Sequence, residues 1–251
     1  MKLKITTLIL AAGILLCFTI ASAQENILKI NVGSLVFGNL SLQDEYAISS
    51  HSSVSLGVSF LPTRGLPTAV TDKDTTNNLV KLELSGFSVT PEYRYYFSGK
   101  APKGFYIAAY FRYSDYPTDN YPYTWKDDAG KERSTVLSGD WTVAGAGIMI
   151  GSQWKLGEHI AFDWWILGAA FGKNMGTYTG TGNFSASDQE QIKQSIGDVE
   201  IPFGSLTSTV DATSVKIEYK PGTPAIRGFG FCFGYSFGGK SSATGTSSQN
   251  P

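Results

Sequence analysis

Glu45, Glu92, Arg94, Arg112 and Asp163 are the charged residues of this chain whose spacing could serve chemistry. Two carboxylates such as Glu45 and Glu92 can act as acid and base, because burial shifts carboxyl pKa values toward that task. Arg94 and Arg112 are ready partners for the same carboxylates, which favours a structural ion-pair network. The chain has two histidines, His51 and His159. A hydrolytic triad needs its base within hydrogen-bond reach of the nucleophile, on the substrate's side. Both histidines fall in compact links between apolar runs, so no catalytic residue is expected and the chain reads as a non-enzyme. Tyr121, Tyr123 and Trp125, beside Asp119, Asp127 and Asp128, could stack on a sugar ring or flank a cation, and are the candidates for loop binding. The acidic stretch Asp188, Glu190, Asp198 and Glu200 lacks the spacing of a calcium loop. Gly145, Gly147 and Gly151 do not lead a strand into a helix, so they form no phosphate loop. No cofactor and no metal are expected.

The elements that must position these residues are strands. From Gly228 to Phe237, Phe229, Phe231, Phe233, Tyr235 and Phe237 alternate with Gly230, Cys232, Gly234 and Ser236. Successive strand side chains point to opposite faces, so one face is wholly aromatic and the other small. That face suits the lipid side of a β-barrel, with small groups toward a crowded interior. The same parity places Glu45 opposite Tyr46, Glu92 and Arg94 opposite Tyr93 and Tyr95, Arg112 opposite Phe111 and Tyr113, and Asp163 opposite Phe162 and Trp164. An eight-stranded barrel has an interior just wide enough to be filled by side chains. The five charges are therefore expected to form one buried network. Pro91 and Asp44 fit badly: the first cannot donate to a ladder and predicts a bulge, the second has lipid-facing parity.

Lys2 and Lys4 precede the apolar run Leu8 to Ile20 and the small residues Ala21-Ser22-Ala23, the pattern of a cleaved signal peptide over residues 1–23. The full chain of 251 residues carries a net charge of -1, and losing Lys2 and Lys4 shifts it further toward acid, which argues against nucleic acid as a partner. Cys232 would be the sole thiol of the processed chain, so no intrachain disulfide is available.

Eight strand-like runs follow: Ile27 to Phe37, Leu40 to Ala47, Val54 to Leu61, Leu79 to Phe97, Phe105 to Ser114, Ser138 to Trp154, Ile160 to Phe171, and Ala225 to Phe237. Compact links alternate with three long polar ones, Pro62 to Asn78, Asp115 to Leu137 and Gly172 to Thr213. The predicted fold is all-β: a transmembrane, eight-stranded, antiparallel up-and-down barrel over residues 24–237, with three long extracellular loops and periplasmic termini. Ser187 to Glu190 has capping-box spacing and predicts a short helix within the last loop. Residues 238–251, rich in Ser, Gly and Thr, are expected to be a disordered tail.

The run Asn26 to Leu35, then Gly38-Asn39-Leu40-Ser41-Leu42-Gln43 with Glu45-Tyr46, resembles the opening of a family of small bacterial outer-membrane barrels catalogued as a domain of unknown function. More loosely the chain resembles the OmpA, OmpX and OmpW type of barrel. The resemblance implies outer-membrane lipid as surroundings and the barrel-assembly machinery as a partner, and it supplies no catalytic residues. The chain departs from such barrels by continuing past Phe237. The expected role is a Gram-negative outer-membrane protein whose surface loops bind a glycan or protein, adhere, or support the envelope. A narrow channel for small or hydrophobic solutes is the alternative, followed by a lipid-modifying enzyme and a soluble secreted β-sandwich.

Overall fold

The structure is a computed structural model and describes residues 25–65, 83–198, 204–221, 225–227 and 229–238. The expected signal peptide, the tail beyond residue 238 and most of the first long loop lie outside these residues. The strands are β1 (Asn26–Asn31), β2 (Leu40–Ala47), β3 (Ser52–Gly65), β4 (Glu83–Tyr96), β5 (Gly104–Lys126), β6 (Glu132–Leu156), β7 (Ile160–Thr181), β8 (Gly204–Val210), β9 (Ser214–Pro221), β10 (Ala225–Arg227) and β11 (Gly230–Phe237). The helices are α1 (Val32–Val36) and α2 (Ala186–Gly197).

All pairings between these strands are antiparallel, and β1 to β7 follow one another in chain order. β11 pairs with both β1 and β7, so the sheet closes over part of its height into a ring of eight strands. Within the ring, closure removes the free edges on which sheets otherwise associate. At one end, the foot, lie the start of β1, the end of β11 and the compact links after β2, β4 and β6. At the opposite end, the crown, three strands continue well beyond the ring: β5 has 23 residues, β6 has 25 and β7 has 22.

The crown corrects two of the three expected loops. Asp115 to Leu137 is mostly a paired hairpin, registered from Asp115↔Thr142 to Lys126↔Glu132 around a slip between Thr118 and Tyr121. Its tip is tied by Asp127, whose Oδ1 accepts the Ala129 and Lys131 backbone N–H groups at 3.1 and 2.9 Å. Gly172 to Thr213 continues as strand to Thr181, forms α2, and returns through β8 to pair with β9. The box that starts α2 is Ser185 with Asp188, two residues earlier than the Ser187-to-Glu190 spacing indicates.

Two smaller corrections have local causes. The first strand stops at Asn31, whose side chain accepts the Ser34 backbone N–H at 3.0 Å and caps α1. At Pro91 there is no bulge. β3 pairs straight through it, Leu56↔Pro91, while the β4–β5 ladder lapses between Val89↔Tyr113 and Glu92↔Tyr110 and resumes in unchanged register. The missing proline N–H faces β5, so the ladder opens there without a shift.

Candidate functional site

The inner face of the ring near its foot is built from alternate residues of several strands. Lys29 comes from β1, Glu45 from β2, Glu92 and Arg94 from β4, and Asp163 from β7. Lys29 pairs with Glu45, lies 2.8 Å from Asp163 Oδ2, and donates to Gln153 Oε1 at 2.5 Å. Arg94 reaches Asp163 and Glu92 at 2.7 Å each, Glu45 at 3.3 Å, and Gln43 Oε1 at 3.0 Å. The Tyr96 hydroxyl donates to Glu45 at 2.6 Å and the Tyr106 hydroxyl to Asp163 at 2.8 Å. The Arg94 guanidinium also stands 4.6 Å from the centre of the Tyr106 ring. All five ion-paired side chains are 0% exposed. Buried charge is tolerated only when paired and hydrogen-bonded, and here each cation spans more than one carboxylate.

Of the expected network, Glu45, Glu92, Arg94 and Asp163 come together. Arg112 stands higher on β5, half-buried, with its Nε donating to Thr90 Oγ1 at 3.1 Å. Lys29 and Gln153 are absent from the expected set. For Lys29 the signal was available: it shares strand parity with buried Ile27 and Asn31, opposite Leu28 and Ile30. Gln153 Nε2 donates to the Pro102 carbonyl at 2.6 Å, so the β4–β5 link closes under the network at the foot.

Glycines make room for the lumen tyrosines. A Cβ on Gly151 would lie 2.4 Å from the Tyr106 hydroxyl, and one on Gly147 2.8 Å from that of Tyr110. The outer face carries the opposite chemistry. Phe229, Phe233, Tyr235 and Phe237 are exposed and Phe231 is partly covered by Phe162 and Trp164, while Cys232 and Ser236 point inward and are buried.

Tyr121, Tyr123 and Trp125 are not presented at a surface, which corrects their reading as loop binders. With Leu137, Phe184, Ile192, Ile196, Val210, Val215 and Ile217 they form a second apolar core, between the crown strands and α2. Trp125 Nε1 donates to Asp188 Oδ1 at 2.7 Å, and the Tyr123 hydroxyl bonds that of Ser195. Burial raises the Tyr121 and Tyr123 phenol pKa values. The Trp125 indole, then the Ser185 backbone N–H and hydroxyl, hold the Asp188 carboxyl below the usual range. Below this core, toward the ring, Tyr116, Trp141 and Tyr219 form a partly exposed row with neighbouring ring centres 6.2 and 5.9 Å apart.

His51 and His159 both sit at the foot, stacked on Tyr95 and Tyr235 with ring centres 5.7 and 5.2 Å apart. Among the described residues no group of three His, Cys, Asp or Glu side chains is placed to hold a metal ion. No described helix is long and apolar enough to cross a membrane, which says nothing of strands.

No curated protein and no solved structure matches the chain. Residues 7–197, which take in the seven strands β1 to β7, match the family described as Protein of unknown function (DUF3575). That span is well over half of the sequence, and the chain belongs to the DUF3575 family.

Proposed function

We propose that the protein is a non-enzymatic outer-membrane barrel with a plugged lumen, which acts through the folded crown it holds outside the cell. The observation that carries this is the inverted polarity of the ring. Fully buried ion pairs fill its interior while Phe111, Ile148, Leu167, Phe171, Phe233 and Tyr235 stand exposed around it. Water would penalise such an exterior and lipid would not. A membrane-crossing strand needs about 9–11 residues, so β5, β6 and β7 have length for both a span and a crown. On this reading the short links and termini are periplasmic and the crown is extracellular, with Tyr116, Trp141 and Tyr219 as the face offered to a surface glycan.

Two features support a non-enzymatic reading. The candidate carboxylates are engaged by Lys29 and Arg94, and both histidines are at the foot, away from the crown. The barrel itself is tested by gel migration of the outer-membrane fraction with and without boiling: a heat-dependent shift is expected, and a soluble, unshifted protein overturns the barrel. In planar bilayers the plugged ring is expected to be silent. Steady conductance that changes with Arg94→Ala would favour the channel. An altered lipid A profile in His51→Ala or His159→Ala cells would restore the enzyme reading.

A further inference from the structure

The two residues that suit a barrel wall least on sequence grounds, Asp44 and Pro91, meet in one place. Both are register partners of Leu56 on β3, one on each side. Around them the outer wall holds a groove of about 570 Å³, whose outward-facing lining includes Asp44, Tyr46, Leu56, Pro91, Tyr93 and Phe111. Its floor lies where the β4–β5 ladder lapses at Pro91. The volume falls in the range, about 300–1,000 Å³, of sites that take small ligands.

The lining is apolar except at one end. Asp44 has outward parity yet is only 7% exposed. The Asn26 side chain bonds its carboxyl, but Oδ1 is buried without a hydrogen-bond partner. A buried acceptor left unmade costs free energy that a donor from outside can recover. The apolar groove suits an alkyl chain, and the unpartnered carboxylate oxygen suits an N–H donor that also carries positive charge. Asp44 is three residues from the foot end of β2, close to where a headgroup would lie in a bilayer.

We infer that this groove is a binding site for a membrane phospholipid with a primary ammonium headgroup: the ammonium donates to Asp44 Oδ1, and an acyl chain lies along Leu56, Pro91 and Phe111. The inference rests on the membrane reading proposed above. The test compares two diacyl phospholipids with the same chains, one headed by an aminoethyl group and one by a trimethylammonio group. Both headgroups are cationic, but only the first has N–H donors. Each is added to the full-length protein in detergent, and bound lipid is read by native mass spectrometry.

The wild type is expected to retain the aminoethyl lipid about tenfold better than the trimethylammonio lipid, the scale of one charged hydrogen bond. Asp44→Asn should erase that preference while keeping the heat-dependent gel shift. Ala109→Trp, which fills the groove from its exposed side, should release both lipids. Equal retention of the two lipids by the wild type overturns the inference, as does an Asp44→Asn protein that keeps the preference or an Ala109→Trp protein that keeps both lipids. A wild type with no heat shift overturns the membrane reading instead, so the two failures are distinguishable.

Discussion

Trp125 and Asp188 lie 63 positions apart in sequence, and the 2.7 Å bond between them fastens helix α2 onto the crown hairpin. The same carboxylate caps the helix through Ser185, so one side chain starts α2 and docks it. Trp125→Phe keeps most of the apolar contact and removes the indole donor. The crown should lose about 1.5–3 kcal/mol, the usual worth of a hydrogen bond to a charged group. Limited proteolysis of the α2 segment, compared with an unchanged gel shift for the ring, would report it.

The crown should also loosen in acid. The pKa of Asp188 is lowered, and Asp211 in the β8–β9 turn is held at about 2 by the Ser214 hydroxyl and by the Thr213 and Ser214 backbone N–H groups. A carboxyl with a lowered folded pKa contributes stability above its unfolded value. That stability is lost as pH falls from there through the folded pKa. Crown stability is therefore expected to be flat near neutrality and to decline from about pH 4 toward pH 2. Near-UV circular dichroism of the crown aromatics would follow it, and the decline should shrink in Asp188→Asn.

Lys29→Met should be among the most damaging changes in the ring. It leaves Glu45 and Asp163 to share Arg94 inside a sealed interior, at a cost of about 3–5 kcal/mol for an uncompensated buried charge. The boiling-dependent shift should move to lower temperature or vanish. Arg112→Ala, at a half-buried position above the network, should move it less.

Gly151→Ala places a methyl against the Tyr106 hydroxyl, where the tyrosine is fixed by Asp163 and Arg94. Overpacking of this kind costs about 1–3 kcal/mol. Gly197→Ala, at the end of α2 with nothing within 4 Å of where its Cβ would stand, should be neutral or slightly stabilising. Thermal unfolding of the two variants side by side would separate a packing requirement from a general need for glycine.

If the crown binds a surface glycan, Trp141→Ala should abolish retention on immobilised polysaccharide while leaving the heat shift intact. Retention that survives in Trp141→Ala but falls in a crown-loosened Trp125→Phe protein would move the binding face off the aromatic row.

Residue alternation made the ring legible. β2 was readable to the residue, and the inward parity of Glu45, Glu92, Arg94 and Asp163 was visible in the alternation alone. The crown was obscured by its composition. Pro117 and Pro122 fall inside the segment that forms β5, and Asp119, Asn120 and Asp127 look like loop chemistry, although Tyr121, Tyr123 and Trp125 keep a period of two. β6 pairs with this stretch, but the cover that buries its aromatic face comes from elsewhere, from α2 and the β8–β9 hairpin, which local propensity cannot see. Lys29 carries the same inward parity as Ile27 and Asn31, so its place in the network was legible as well.

The network described at the foot of the ring also constrains the order of assembly. Lys29 and Asp163 belong to β1 and β7, the two strands that β11 joins. Until that last strand arrives, Lys29 and Asp163 stand on either side of an unfilled seam, and the ion pair between them is unmade. Zipping the seam and making that ion pair are thus a single event, which on the membrane reading proposed above leaves a half-closed ring hard to hold in hydrocarbon. The eight residues of β11 act as a latch on the charges of β1 and β7.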